Sequence, residues 1–449
     1  MRSTRIHRPK GSVLFETGPH TLPFGEGSSL PSFEIIEQLK LEDRLLFLEP
    51  DTTTRAYIKY QGRLVPFVAE FSLKWITEPL LRGGLGGLFK FAFSDVRRPA
   101  GLEDESITSW WTRRFSEKIA KVWISAFIHG IYAGDAERLS MRSTLFKVFW
   151  EAESQGKKRP MERPEIKAVR DEIKAGLKTE LYAMKPTERP RSYTFRDGLE
   201  ELPSTLRQTL KGLVEINTDS PVQSIQARSE ANKDIRLRTP LRTHHFSHIV
   251  STIPLPKLFQ VLPSPPADLV GSFPPAATVA VVNLYYAEGS ASGPTGAFGY
   301  LIPKTETWEI ENPEAALGVI FVSKALSSQD TGEFAQGGFK LSVLMGGEYW
   351  RGRSSLPSED ELLAAAKSVV ERDLGITAEP TINQVSLQRE CIPQYEVGHW
   401  QRVERLEDYL NSTFGQDRLK VIGSPVSGVS INECILAGRQ TASRLNELS

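Results

Sequence analysis

The residues best placed to do chemistry lie near the end of the chain, at a glycine-rich turn. An apolar segment at 419–422 leads into a Gly/Ser/Pro-rich stretch that ends at Gly428. A helical pattern follows, with Asn432 as its predicted N-cap and an inner face of Ile435, Gly438, Ala442 and Leu445. Because the first helical turn has free N–H groups and the positive end of the helix dipole, it favours a partial negative charge at this turn.

The anionic edge of a reduced flavin would suit such a turn, although a strand, a glycine and a helix in sequence are also typical of ordinary α/β packing. Residues 423–439 read Gly-x-x-x-x-Gly-Val-x-Ile-Asn-Glu-Cys-Ile-x-x-Gly-Arg. This sequence motif resembles the C-terminal flavin segment of the protoporphyrinogen oxidase family, within the amine-oxidase and phytoene-desaturase superfamily. The resemblance implies that Gly428, Val429, Ser430 and Ile431 bind the cofactor.

A second segment of the same family lies near the start of the chain. Residues 15–21 resemble the family's F-E-x-G-P-R-T, with His20 in place of the usual arginine. In the family this segment lies against the isoalloxazine ring. The resemblance therefore implies that Gly18, Pro19, His20 and Thr21 contact the flavin.

Residues 1–25 contain no dinucleotide-binding fingerprint, since no G-x-G-x-x-G follows a strand and no acidic residue lies about 20 positions on. By resemblance, Met1 falls just past the first strand, the glycine loop and the second strand. We therefore expect the 449-residue chain to bind FAD poorly and the complete gene product to be active. A genuinely shortened protein is one alternative, and a non-catalytic fragment or porphyrin-binding remnant is another.

Further sequence motifs of this family recur in order along the chain. Residues 105–114 match E-S-x-x-x-F-x-x-R-R, residues 130–143 match G-I-Y-A-G-D-x-x-x-L-S-x-R-S, and residues 392–399 match I-P-Q-Y-x-x-G-H. The last two motifs argue against assigning the chain to the related amine oxidases or carotenoid desaturases. Gly130 and Gly134 are predicted to form a helix end and its C-cap.

One predicted cofactor contact comes from the middle of the chain. Residues 221–225 match the family's P-V-x-x-I, in which the valine backbone contacts the adenosine side of the flavin. Val222 is the matching position. Its side chain alone would be interpreted as a core residue.

Alternating apolar residues predict a sheet over 278–286, 298–302, 317–322 and 339–345. In the family, apolar residues of these strands sandwich a tetrapyrrole next to the flavin, which implies Leu301, Leu317 and Leu344 as substrate contacts. A plain half-buried sheet is the alternative. Local signals also predict a hairpin that turns at 61–62, and a helix over 358–375 with a Ser-x-x-Glu capping box.

Composition excludes several other functions. The 55 basic and 55 acidic residues leave no net charge and no footprint for nucleic acid. The two cysteines are too few for a disulfide framework and lack metal-ligand spacing, so no metal site is predicted. Since no nucleophile pair or phosphate loop is recognisable, we assign no catalytic residue, which is consistent with flavin-centred oxidation.

The sequence thus predicts an α/β (α+β) chain of three domains. The first is a discontinuous, N-terminally incomplete FAD-binding domain at 1–29, 193–258 and 380–449. The second is a mixed-sheet substrate domain at 30–75 and 259–379. The third is a helical membrane-facing domain at 76–192. The resemblance implies that FAD takes hydride from protoporphyrinogen IX to give protoporphyrin IX in haem synthesis, with molecular oxygen as acceptor.

The family also implies where the protein acts. It implies a peripheral location at the mitochondrial inner membrane, a homodimer and contact with ferrochelatase, although no targeting signal is visible. Residues 79–93 combine glycines with Leu and Phe and could dip into a lipid interface or pack in a core. The cation for the substrate propionates is unassigned, with Lys74 and Arg82 as candidates.

Overall fold

The computed structural model describes residues 2–24, 29–48, 56–67, 97–157, 164–176, 190–227, 234–287, 289, 291 and 297–448. Its strands are β1 Ser3–Arg8, β2 Gly11–Glu16, β3 Leu22–Pro23, β4 Leu45–Leu48, β5 Ala56–Tyr60, β6 Arg63–Phe67, β7 Ser192–Phe195, β8 Ser224–Ala227, β9 Ile235–Arg238, β10 Thr243–Phe246, β11 Ile249–Ser251, β12 Ala277–Tyr286, β13 Gly299–Leu301, β14 Ala316–Phe321, β15 Thr331–Gly332, β16 Phe339–Gly346, β17 Ile382–Ile392 and β18 Leu419–Val421.

The α-helices are α1 Leu30–Gln38, α2 Ile107–Arg114, α3 Ser125–Tyr132, α4 Lys147–Ser154, α5 Pro164–Gly176, α6 Glu201–Leu210, α7 Leu255–Val261, α8 Ala267–Val270, α9 Trp308–Glu311, α10 Val322–Leu326, α11 Glu359–Leu374, α12 His399–Phe414 and α13 Ile431–Leu448. A π-helical segment, Ile119–Ile124, leads into α3. This mixture of strands and helices confirms the predicted α/β fold class.

A seven-stranded sheet in the order β17-β12-β16-β14-β13-β5-β6 carries the largest core. Its pairs are antiparallel except for β13 with β5. Because side chains alternate between the faces of a strand, Val282 and Val343 point to one face, where they form one core cluster with Leu362 and Val370 of α11. The four strands predicted over 278–345 are confirmed.

Two local predictions are confirmed at the edges of this sheet. β5 and β6 form the predicted hairpin, whose turn residues Gln61 and Gly62 both have positive φ, as a tight hairpin turn requires. At α11, Ser358 and Glu361 form the predicted capping box, and Gly375 ends the helix in the left-handed conformation. Both features depend only on neighbouring residues.

A short parallel pair, β11 with β18, leads into the C-terminal turn. Ser251 lies opposite Val421 in this pair, and α12 packs beside it through Leu406 and Phe414. β18 therefore ends where the glycine-rich stretch begins, and α13 follows it. The predicted succession of strand, turn and helix is confirmed.

The end of α3 differs from the prediction. The helix ends at Tyr132, and Ala133, with φ of 49°, is the left-handed C-cap, so Gly130 and Gly134 are not the helix end and cap. Both glycines allow close approach instead. A Cβ at Gly130 would lie 2.7 Å from Leu301 Cδ2, and one at Gly134 would overlap the amide oxygen of Gln394.

In the part of the chain that the structure describes, no helix is long and apolar enough to cross a bilayer. The candidate lipid-contacting residues 79–93, and the candidate cations Lys74 and Arg82, lie outside the described residues. The division into three domains stays a prediction.

Candidate active site

The C-terminal turn is built around Gly428. Its φ of +128° lies in a region that favours glycine, and a Cβ there would overlap the carboxylate carbon of Glu433. Upstream, Ser427 N donates to Gly423 O at 2.8 Å and Gly423 N donates to Ser427 Oγ at 3.2 Å. These contacts close the turn just before α13 begins.

Ser430, and not Asn432, caps α13. Ser430 Oγ accepts from Glu433 N at 3.2 Å, while Glu433 Oε2 accepts from Ser430 N at 3.3 Å and from Ser430 Oγ at 2.9 Å. The predicted N-cap was wrong by two residues, because Ser430 and Glu433 form the capping box and Asn432 lies inside the helix. Ser430 was predicted as a cofactor contact, and in this structure its N–H is bound by Glu433.

Several backbone donors at this turn are left over. Gly428 N donates to Tyr395 Oη at 2.9 Å, and Ser430 N is used by Glu433. For the N–H groups of Val429, Ile431 and Asn432, we find no protein acceptor among the described residues. Those of Val429 and Ile431, beside a helix N-terminus, fit a ligand atom with partial negative charge, as the flavin C2=O edge would provide.

Asn432 joins this turn to the N-terminal segment. It is 1% exposed, its Nδ2 donates to Pro23 O at 3.1 Å, and its Oδ1 accepts from Ser32 Oγ at 2.7 Å. Pro23 is only two residues beyond the predicted flavin segment that ends at Thr21. The structure thus brings the two predicted flavin segments together, which the sequence alone could not show.

His20 is buried on the face of the seven-stranded sheet opposite α11. Its Nε2 lies 2.8 Å from Ser342 Oγ, and Ser342 Oγ donates to Asn283 Oδ1 at 2.5 Å. Asn283 Nδ2 donates to Glu16 O at 2.8 Å, which fixes the orientation of the amide. Since the single hydroxyl hydrogen of Ser342 goes to Asn283, His20 must donate through Nε2–H.

The tautomer leaves His20 Nδ1 as a buried acceptor with no hydrogen-bond partner in the described part of the chain. Burial, and then the charge of Lys340, lower the pKa of His20 to about 4, although the Gly18 carbonyl opposes this shift. The imidazole is therefore neutral near pH 7. A neutral ring with a free lone pair can accept a hydrogen bond from a bound ligand.

A buried ion pair holds β2, the strand that leads into the segment of His20. Lys340 Nζ donates to both carboxylate oxygens of Asp330 at 2.8 Å and to Leu14 O at 3.0 Å. Burial lowers the pKa of Lys340 and raises that of Asp330, while the attraction between them opposes both shifts. Lys340 and Ser342 share a sheet face, so this pair anchors β2 immediately before the predicted flavin segment.

The predicted substrate contacts lie on this sheet, in two different settings. Leu301 and Leu344 both lie opposite Gly318 in the strand register, and both are half-buried on the face that carries Ser342. Gly130 of α3 lies close to Leu301. Leu317, 2% exposed, belongs to the core cluster that includes α11. Leu301 and Leu344 thus share one register position, while Leu317, at the irregularity of β14, lies in the core cluster against which Leu344 also packs.

The remaining predicted cofactor residues are placed less specifically. Val222 is half-buried and packs against the cluster that contains Val421 of β18, so it lies near the strand that leads into the turn. Gly18 has open space where a Cβ would be, which allows close approach of a ligand. Pro19 and Thr21 flank His20 in the same loop.

Sequence reasoning missed two residues of this site, Tyr395 and Glu433. Both stand inside motifs that match the family. Ser430 three residues before Glu433 is a capping-box signal that could have found Glu433, whereas no neighbour in sequence reveals the role of Tyr395. Tyr395 contacts a turn 33 residues away, and Glu433 folds back onto Gly428. No group of His, Cys, Asp and Glu suited to a metal ion occurs among the described residues.

Comparison with known proteins extends this description. The family of flavin containing amine oxidoreductases matches residues 2–446. Protoporphyrinogen oxidase from Schizosaccharomyces pombe is 29% identical over 98% of this chain and 89% of the relative, and that from Bos taurus is 30% identical over the same shares. A crystal structure from Exiguobacterium, provisionally named protoporphyrinogen oxidase, has a TM-score of 0.72 at 18% identity and covers 100% of this chain and 90% of that one.

Proposed function

Because the chain belongs to the flavin-containing amine oxidoreductases, and within them to the protoporphyrinogen oxidase family, we propose that it oxidises protoporphyrinogen IX to protoporphyrin IX in haem synthesis. It is an FAD-dependent oxidoreductase. The observation that carries the proposal is the meeting of the two flavin segments, joined by Asn432, with one of them bound to the sheet face of Leu301 and Leu344.

Bound FAD would accept hydride from the macrocycle and pass the electrons to oxygen, giving peroxide. The N–H groups of Val429 and Ile431 would hold the edge of the ring that becomes negative on reduction. Neutral His20 would offer its Nδ1 lone pair without adding charge. These groups position the cofactor, and no side chain of the site is required as a nucleophile.

The sheet face would position the substrate. Leu301 and Leu344 present apolar surface with Gly318 between them in the register, and this suits a large flat ring. An apolar face excludes water from the path of the hydride. The substrate propionates require a cation, which we do not assign.

The location follows the same reasoning. We propose that the protein acts as a peripheral protein at the mitochondrial inner membrane, as a homodimer that contacts ferrochelatase. The support for this is membership of the protoporphyrinogen oxidase family. Fractionation of the source organism, followed by immunodetection and by crosslinking with ferrochelatase, would test each part separately.

The function is tested by mixing the purified protein, expressed from its full coding sequence, with FAD and then with protoporphyrinogen IX under anaerobic conditions. Loss of the oxidised flavin absorbance, with the appearance of porphyrin fluorescence, is the expected result. Putrescine serves as the control substrate, since bleaching by the amine alone would indicate an amine oxidase. Porphyrin binding without any flavin binding would contradict the proposal and favour the porphyrin-binding remnant.

A further inference from the structure

The hydroxyl of Tyr395 holds the C-terminal turn at two points. Tyr395 lies in the loop between β17 and α12, and its side chain is nearly fully buried. Its Oη donates to Ser424 O at 2.5 Å and accepts from Gly428 N at 2.9 Å. A hydroxyl has one hydrogen and free lone pairs, so it can make both bonds at once. The two contacts bracket residues 424–428.

The ring that carries this hydroxyl is itself fixed. It stacks on His399, with centroids 4.0 Å apart and planes 14° apart. The carbonyl of Tyr395 accepts from Ser140 N at 2.8 Å. Because the ring and the backbone are both held, the position of Oη is set before any ligand arrives.

The preceding residue connects this anchor to the substrate side. Gln394 Nε2 donates to Tyr132 O at 2.9 Å and to Ile392 O at 3.0 Å. Tyr132 ends α3, the helix in which Gly130 approaches Leu301. Residues 394–395 therefore contact both the helix beside the substrate face and the turn beside the flavin.

Gly428 is where this anchor acts on the site. Its N–H is bound to Tyr395, and its positive φ sets the direction in which the chain continues through Val429 to Ile431. A turn free to vary this angle would spread the N–H groups of Val429 and Ile431 over several directions. A hydroxyl that fixes Gly428 keeps both groups aimed at one place.

We propose that Tyr395 is a positioning residue that pre-forms the turn, so that the N–H groups of Val429 and Ile431 meet the flavin without rearrangement. The inference rests on the proposed function, because it takes the turn as the flavin site. It adds a residue outside both flavin segments. A residue needed only for stability would stabilise the fold without changing how the flavin is held.

The first test compares Tyr395→Phe with Tyr409→Phe. Tyr409 is a matched control, because its hydroxyl also donates to a backbone carbonyl at 2.5 Å, that of Pro263. Phenylalanine keeps the stacking on His399 and removes only the hydroxyl. The measurements are the FAD dissociation constant from flavin fluorescence, the visible circular dichroism of bound flavin and urea unfolding of the FAD-free protein.

We expect both variants to lose stability, Tyr395→Phe more because its buried hydroxyl makes two hydrogen bonds, while only Tyr395→Phe weakens FAD binding, by about tenfold. Its flavin circular dichroism should change too, because the ring would be held differently. Equal FAD affinity and unchanged dichroism in Tyr395→Phe, with wild-type binding intact, would overturn this inference alone. Failure of the wild type, expressed from its full coding sequence, to bind FAD would overturn the proposed function together with it.

A second test needs no variant. Hydrogen exchange of the wild-type protein should show the Gly428 amide protected before FAD is added, since Tyr395 already binds it. The Val429 and Ile431 amides should become protected only with FAD. Fast exchange at Gly428 in the FAD-free protein would show that the turn is not pre-formed, and the inference would fail.

Discussion

Two helices of this chain begin with the same Ser-x-x-Glu pattern, at α11 and at α13. At α11, Ser358 N donates to Glu361 Oε2 at 2.7 Å and Glu361 N donates to Ser358 Oγ at 3.3 Å. At α13, Ser430 N donates to Glu433 Oε2 at 3.3 Å and Glu433 N donates to Ser430 Oγ at 3.2 Å. The local chemistry of the two helix starts is the same.

Their surroundings differ. Ser358 and Glu361 are exposed, so water can bind the donors that the capping box leaves over. At α13 the box is half-buried, beside buried Asn432 and behind a turn held by Tyr395, so the leftover donors there suit a ligand. A capping pattern thus shows where a helix starts, whereas burial decides whether that start can be a binding site.

The largest expected effect comes from Gly428, just before the α13 box, and its comparison is Gly375, the C-cap at the other end of α11. Gly428→Ala should destabilise the protein by about 3 kcal/mol and abolish FAD binding, because a Cβ would overlap Glu433 and φ is unfavourable for alanine. Gly375→Ala should cost only about 1 kcal/mol, since its Cβ would meet open space. Urea unfolding and FAD titration measure both. Equal losses would remove the contrast between the two helix ends.

The same contrast shows what sequence could predict. The α11 box, its terminal Gly375 and the hairpin turn at Gln61 depend on residues a few positions apart, and all three were predicted correctly. Asn432 was predicted as the N-cap although Ser430-x-x-Glu433 is a local capping pattern, and the actual partners of Asn432, Ser32 and Pro23, are 400 and 409 residues away. Local propensity carries no information about such contacts, so the joint between the flavin segments needed the structure.

The predicted roles of the α3 glycines, Gly130 and Gly134, were wrong for a similar reason. Glycine near a helix end usually signals a left-handed cap, yet here Ala133 takes that conformation. Positions 130 and 134 need glycine because Leu301 and Gln394, from other segments, approach too closely for a Cβ. The strands and helices could therefore be read from periodicity, whereas the contacts that assemble the site could not.

Acid should destabilise the protein through His399, the ring that stacks on Tyr395. Burial, followed by the charge of Arg402, lowers the pKa of His399 from 6.5 to about 3. The unfolded chain therefore takes up this proton below pH 6.5 while the folded one does not, so stability present above pH 6.5 is lost as pH falls. Between pH 6.5 and 4.5 the loss is about 2 to 3 kcal/mol for this ring.

His399→Phe should flatten that dependence by the same amount, since phenylalanine can still stack on Tyr395 and does not titrate. His20 and His129, whose pKa values burial lowers to about 4, add losses of the same sign in wild type and variant alike. Glu361 at α11 responds only at lower pH, because hydrogen bonds from Ser358 lower its pKa below 4.5. The measurement is urea unfolding from pH 7.5 to 4.5. If His399 were not the cause, the free energy of unfolding would depend on pH equally in His399→Phe and the wild type.

A smaller effect is expected at the second residue of each helix. Asn432→Ala should cost about 2 kcal/mol, because it leaves Pro23 O and Ser32 Oγ without their buried partner, and it should weaken FAD binding. Asp360, the corresponding residue of α11, is exposed, so Asp360→Ala should leave FAD binding unchanged. Similar FAD affinity in both variants would mean that the joint with the N-terminal segment does not shape the site.

The smallest effect concerns the two glutamates themselves. Glu361→Gln and Glu433→Gln should each cause a small loss of stability, because an amide oxygen can still accept the capping hydrogen bonds. Only Glu433 stands at the proposed flavin turn, where its charge opposes the negative charge that reduction places on the ring. Removing that charge should raise the flavin midpoint potential by about 20 to 30 mV, the shift that roughly 1 kcal/mol gives for two electrons.

Spectroelectrochemical titration of FAD bound to each variant measures this shift, with Glu361→Gln as the matched control. An unchanged potential in Glu433→Gln would mean that the carboxylate is too far from the flavin, or too well solvated, to act on it. An equal rise in both variants would point to a general effect of net charge, which does not depend on position. Because the two boxes have the same local geometry, a shift confined to Glu433→Gln can only come from what lies beside the α13 box.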